Sequence, residues 1–166
     1  MKKWLPRAAI AALALGVTAC GEKSETQVGG FSNDLLGNEI AIEALPDPAI
    51  PSVVCHLAYF NRSFLDRLQQ GNWFENPSNS AVSCQRTGPI SLAGLSLAPS
   101  GEEIFSQKHS LFFKRVALRR VIDRANRSVL YVAYSRELIQ GSAKIAISSV
   151  ALTDQEIAAV SQSDGQ

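Results

Sequence analysis

Side chains with reactive potential are few in this chain and lie far apart. The two histidines, His56 and His109, belong to no His-x-x-x-His or mixed Cys and His array, so no zinc site of ordinary composition is assembled locally. His56 follows Cys55 in a β-branched, aromatic run. A hydrogen-bonded structural role is the plain reading there, and use as a base would need a carboxylate brought in by a neighbouring strand. His109 adjoins Ser110, but consecutive residues of a strand point to opposite faces and cannot form a nucleophile and base pair. No Gly-x-Ser-x-Gly elbow and no Ser-x-x-Lys sequence occurs. Gly141, Ser142 and Lys144 put a hydroxyl and an ammonium in one short loop, which suits a phosphate or carboxylate held by backbone donors and charge. The competing reading is a turn with a solvated lysine. Ser142 with Lys144, or His56, therefore defines the enzymatic alternative for this chain. Glu102 and Glu103 are neighbours in sequence, not partners across a cleft, and give no support to glycosidase chemistry.

The densest cluster is basic. Lys114, Arg115, Arg119, Arg120, Arg124, Arg127 and Arg136 fall within about two strands and a turn. Alternation sends Lys114 and Arg120 to one face and Arg115 and Arg119 to the other, so only part of the set can form one patch. Arg115, Arg119, Arg120, Arg124 and Lys144 are the candidate contacts for an anionic ligand or an anionic surface. Solvated strand faces and turn arginines are the alternative. No metal and no cofactor is implied by these residues.

The elements that must position these groups begin after residue 19. Lys2, Lys3 and Arg7 form a positive start, Ala8 to Gly16 an apolar run, and Val17, Thr18 and Ala19 lead into Cys20. This order resembles a bacterial lipoprotein signal peptide. The resemblance implies that residues 1–19 are removed and that Cys20 becomes an acylated N-terminus, carrying palmitate-type chains. The apolar run is far shorter than the roughly 20 residues needed to cross a bilayer as a helix. Two or more acyl chains would hold the protein stably where one would not. Loss of Lys2, Lys3 and Arg7 moves the formal balance from +1 to −2. The expected location is the periplasm, at a membrane, which also argues against nucleic acid as a partner. With Cys20 committed to lipid, Cys55 and Cys84 form an even pair in an oxidising compartment and are expected to make a disulfide.

Residues 20–30 are polar and glycine-flanked, as a tether would be. Residues 31–152 are expected to form one β-rich domain. Phe31 to Leu36 and Glu39 to Leu45 flank Gly37 and Asn38, a hairpin signal. Val53 to Phe60, Ala81 to Gln85, Glu103 to Phe113, Val116 to Ile122, Val129 to Tyr134 and Ile145 to Leu152 read as further strands. The nearly continuous apolar run at Val129 to Tyr134 suits a central strand buried on both faces. Ser63 to Gln70 has apolar residues at helical spacing before Gly71, and suggests a short inserted helix. Thr153 and Glu156 match a capping box, so a helix from Asp154 to Val160 should open the last segment, residues 153–166, before a frayed tail. The expected fold is a single, mainly antiparallel β domain of α+β type, either a flattened barrel or a two-layer sandwich.

Cys84, Gln85, Gly88, Pro89 and Ile90 carry a family resemblance, as do Ser110 to Lys114, Ala133 to Ser135, and Gly141, Ser142, Lys144 and Ala146 to Ser148. With Asp47, Pro48 and Cys55 in matching order, the chain resembles the CreA family from about Phe31 to Val150. The resemblance implies an exported envelope protein of unassigned activity, without catalytic residues to transfer. The expectation is a lipid-anchored binding or accessory module. Its partners would be the membrane through its lipid, and another envelope protein or an anionic ligand.

Overall fold

The computed structural model describes residues 26–35, 37–61, 68, 80–105, 116–135 and 145–163. They form two antiparallel four-stranded sheets and one helix, with no closure into a barrel by backbone pairing among the described residues. The first sheet runs β1 (Gln27–Ser32), β2 (Glu39–Pro46), β3 (Val53–Asn61) and β4 (Ser80–Arg86) in spatial order. The second runs β5 (Glu102–Phe105), β6 (Val116–Asp123), β7 (Ser128–Ser135) and β8 (Ile145–Ala151), and α1 (Asp154–Ser163) follows it. No helix of the described residues is long and apolar enough to cross a membrane.

Alternation dictates which side chains fill the space between the sheets. On β3, Val53, Cys55 and Leu57 are buried while Val54, His56 and Ala58 are only half-buried. On β7 the same rule buries Val129, Tyr131 and Ala133 and leaves Leu130, Val132 and Tyr134 half-buried. That strand is central, as its composition implied, but its outer side is not buried to the same degree. Leu45, Ile50, Val53, Cys55 and Leu57 meet Val116, Leu118, Ile122, Val129 and Tyr131 in one core shared by both sheets. Such interdigitation of two inner faces makes a two-layer sandwich.

Cys55 and Cys84 stand directly opposite each other on β3 and β4 and are joined by a disulfide. Edge strands β4 and β8 then approach through side chains: the Cys84 N–H donates to Ser148 Oγ at 2.8 Å, and Arg86 Nη1 donates to the Ala151 carbonyl at 3.1 Å.

Two boundaries differ from expectation for local reasons. β1 starts at Gln27, inside the segment read as a tether, because Thr26 and the two glycines pair along β2: Ala44 N–H donates to the Thr26 carbonyl at 2.9 Å. The turn after it spans 33–38, since Asp34 accepts from the Asn38 backbone at 3.1 Å and its side-chain amide at 2.7 Å, with Gly37 at φ 80°. This Asx-type closure displaces the tight two-residue turn. The inserted helix expected at 63–70 lies outside the described residues apart from Leu68.

At the chain end the capping box forms as its residues require. Thr153 N–H donates to Glu156 Oε2 at 2.8 Å, and Glu156 N–H donates to Thr153 Oγ1 at 3.3 Å.

Candidate functional site

Arg120 occupies the centre of the polar chemistry, and it lies inside the protein. β6 alternation turns it toward the core, where it is 3% exposed. Its Nη1 donates to Asp47 Oδ1 at 2.5 Å, and its Nη2 pairs with Glu102. Asp47 closes the bend between β2 and β3: Oδ1 also accepts from the backbone of Ala49 at 2.9 Å and Ile50 at 3.1 Å. Asp47 Oδ2 accepts from the Tyr131 hydroxyl at 2.8 Å. One carboxylate from the bend that joins two strands of the first sheet is therefore bonded to two residues of the second. Pro48 directly after Asp47 suits this bend, since its ring fixes φ and it has no N–H to place.

The electrostatics match a permanent ion pair. Burial opposes the charge on Arg120, yet the hydrogen bonds and charges of Asp47 and Glu102 outweigh it and hold the guanidinium above its ordinary range. Burial, and then the Asp47 charge and hydrogen bond, push the Tyr131 phenol well above the usual tyrosine range, so it remains a donor at any physiological pH. A buried carboxylate that already accepts four hydrogen bonds is a structural tie, not a general base awaiting substrate.

A second buried acid, Glu43, faces the same interior from β2. The Tyr59 hydroxyl donates to its Oε1 at 2.6 Å and Thr26 Oγ1 to its Oε2 at 3.1 Å. Burial, followed by the bond to Glu43, raises the Tyr59 phenol above its usual range. The first residue of the described fold is thus fastened to the interior of the first sheet.

A third set joins the loop after β4 to α1. Glu156 Oε1 accepts from Arg86 Nη2 at 2.6 Å and from Ile90 N–H at 2.7 Å. Burial opposes its charge, but the backbone donors of Thr153 and Ile90 and the Arg86 guanidinium win and lower it to about 2. Beside it lies an open cleft of about 270 Å³ whose walls include Ile90, Leu92 and Ala159.

The basic cluster is therefore divided. Arg120 is removed from any anionic surface, because its face of β6 is the core face and its charge is already matched by two carboxylates. Arg119 points the other way and donates to the Ser100 carbonyl at 2.7 Å. Arg124 sits in the exposed turn 124–127, and Arg127 pairs with Asp154 at 2.5 Å in solvent. Arg115, Lys144, Ser142 and Cys20 lie outside the described residues. His56 stands on the outer side of β3 with Ala44 and Ser83 as its cross-strand partners. Among the described residues, no carboxylate stands opposite it in register. No group of three or more His, Cys, Asp or Glu able to hold a metal ion occurs among the described residues.

Sequence reasoning used Asp47 as one of the residues that carry the family resemblance and missed its bond to Arg120. The available signal was the pairing of an Asp-Pro bend with an arginine at a core-phase position of an apolar strand.

Together these features define a small, disulfide-braced β-sandwich whose buried ionic groups tie its two sheets together. Residues 28–155 match the family described as CreA protein. The chain is 34% identical over 116 residues to Protein CreA of Escherichia coli K12, covering 68% of this chain and 72% of that protein, and matches Protein CreA of strain O157:H7 to the same extent. It belongs to the CreA family. No solved structure matches it.

Proposed function

We propose that this protein is a lipid-anchored envelope module that binds rather than catalyses, held at a membrane by acylated Cys20 and exposed to the periplasm. The observation that carries the reading is the sequence Lys2, Lys3 and Arg7, an apolar run, and small residues ending at Cys20. The saturation of Asp47, Glu156 and Arg120 by internal partners supports a binding role. Multiple acyl chains on one cysteine make anchoring effectively permanent. The partner is another envelope protein or an anionic small molecule, met by Arg119 and Arg124 together with Arg115 and Lys144.

Intact mass spectrometry of the protein from the membrane fraction tests the anchor. A mass of residues 20–166 plus acyl groups, with no thiol label taken up before reduction, is the expected result. A full-length or unacylated mass refutes it. Charge reversal tests the partner site: Arg119→Glu with Arg124→Glu should abolish partner capture while leaving the fold intact. Undiminished capture refutes the cationic site.

A further inference from the structure

Among the described residues, the outer face of the first sheet carries no Asp, Glu, Lys or Arg. By register it consists of Phe31 from β1, Ile40, Ile42 and Ala44 from β2, Val54 to Phe60 at alternate positions from β3, and Ala81, Ser83 and Gln85 from β4. Phe31 pairs with Ile40 and Ile40 with Phe60, giving an apolar row across three strands. Phe31 is 56% exposed; Val28, at the bulge in β1, and Leu35, in the turn after it, are 61% and 105% exposed. The outer face of the second sheet differs in kind. Ile145 and Ile147 are exposed there too, but Glu103, Arg119 and Asp123 share that face. An exposed apolar patch without charge marks a surface that meets something apolar.

The chain itself indicates what that is. Five residues, 21–25, separate Cys20 from Thr26. Thr26 is fixed to Glu43 and Ala44 at the β1 edge of this same sheet. Even fully extended, six residue steps span at most about 20 Å, less than a strand of eight residues at about 27 Å. We infer that the uncharged face of the first sheet lies on the lipid bilayer, with Phe31 entering the boundary between headgroups and acyl chains. This rests on the anchor at Cys20 proposed above and specifies the orientation that the anchor imposes. A short tether fastened at one edge of an apolar face brings that face, and not the charged one, to the surface that holds the lipid. The second sheet, with Arg119, then faces the periplasm and remains available to a partner.

The test uses the chain purified with its native anchor and reconstituted in phosphatidylethanolamine and phosphatidylglycerol vesicles with brominated acyl chains. In a Trp73→Phe background, tryptophan is introduced as Phe31→Trp or Phe60→Trp on the first sheet and as Tyr134→Trp on the second. Bromine quenching at least twofold stronger at Phe31→Trp and Phe60→Trp than at Tyr134→Trp is expected. Equal quenching at all three, or stronger quenching at Tyr134→Trp, overturns the orientation. Where Phe60→Trp disturbs folding, Phe31→Trp at the exposed edge decides alone. An acylated mass with no difference in quenching leaves the anchor standing and removes the orientation, whereas an unacylated mass removes both. Protection of the first sheet from quencher in particles that hold two chains by light scattering assigns the face to a second copy and overturns the lipid assignment.

Discussion

Replacing Asp47 by alanine removes four hydrogen bonds from one buried carboxylate: those from Ala49, Ile50, Arg120 and Tyr131. Arg120, 3% exposed, keeps Glu102 as its one acidic partner among the described residues, and that side chain is 43% exposed. Removing one member of a buried pair generally costs about 3–5 kcal/mol, because the other charge stays desolvated. Residual pairing with Glu102 pulls toward the lower bound, and two unpaired bend amides pull upward, so Asp47→Ala should cost about 4 kcal/mol. In a domain of this size that corresponds to a fall in Tm of roughly 10–15 °C. Tyr131→Phe removes one neutral donor and should cost about 1 kcal/mol. The double variant should cost less than the sum, because Tyr131 has lost its acceptor once Asp47 is gone. Urea and thermal unfolding with the disulfide intact measure all three. A cost below about 1 kcal/mol for Asp47→Ala, or strict additivity with Tyr131→Phe, would refute the assignment of Asp47 as the tie between the sheets.

The remaining expectations concern the other ties. Glu156 sits well below the ordinary carboxylate value, at about 2, and its side chain is 10% exposed. Its contribution is therefore complete above about pH 4.5 and disappears as pH falls toward 2. After allowance for screening at the protein rim this amounts to roughly 1–2 kcal/mol, and Glu156→Gln should flatten that part of the stability profile between pH 2 and 5. Joint Cys55→Ala and Cys84→Ala substitution opens a loop with a sequence separation of 29 residues and should cost about 3–4 kcal/mol in denaturant titration. Gly101→Ala should be far more damaging than Gly94→Ala. Both have positive φ, but a methyl at Gly101 would collide with the Arg120 carbonyl, whereas nothing lies within 4 Å at Gly94. The expected costs are more than about 2 kcal/mol and about 1 kcal/mol respectively, and similar Tm values for the two variants would contradict the close packing of Gly101 on β6.

Local chemistry alone was enough for several features. The period of two in Val53 to Phe60 and Val129 to Tyr134 places Val53, Cys55 and Leu57, and Val129, Tyr131 and Ala133, on core faces, because alternation is a property of the extended backbone. Thr153 and Glu156 start α1 because a capping box needs only residues three apart. The pairing of Cys55 with Cys84 followed from cysteine count and the oxidising compartment that the first twenty residues lead one to expect, and the register agrees. Family membership was legible in the ordered residues from Asp47 to Ser148.

Other features depended on contacts between distant segments. Whether the strands close into a barrel or stack as two sheets is set by which edges pair, and no local sequence property encodes that choice. Arg120 read as a surface cation because its neighbours are basic. It is internal because Asp47, 73 residues away, supplies the charge that makes burial tolerable. The same separation between local composition and long-range pairing gave one sheet an outer face without acidic or basic side chains among the described residues, and the other a charged one. Sequence determined which side chains alternate together, and the tertiary structure decided which alternate set met a partner, because compensation of a buried charge requires a group that only folding brings near.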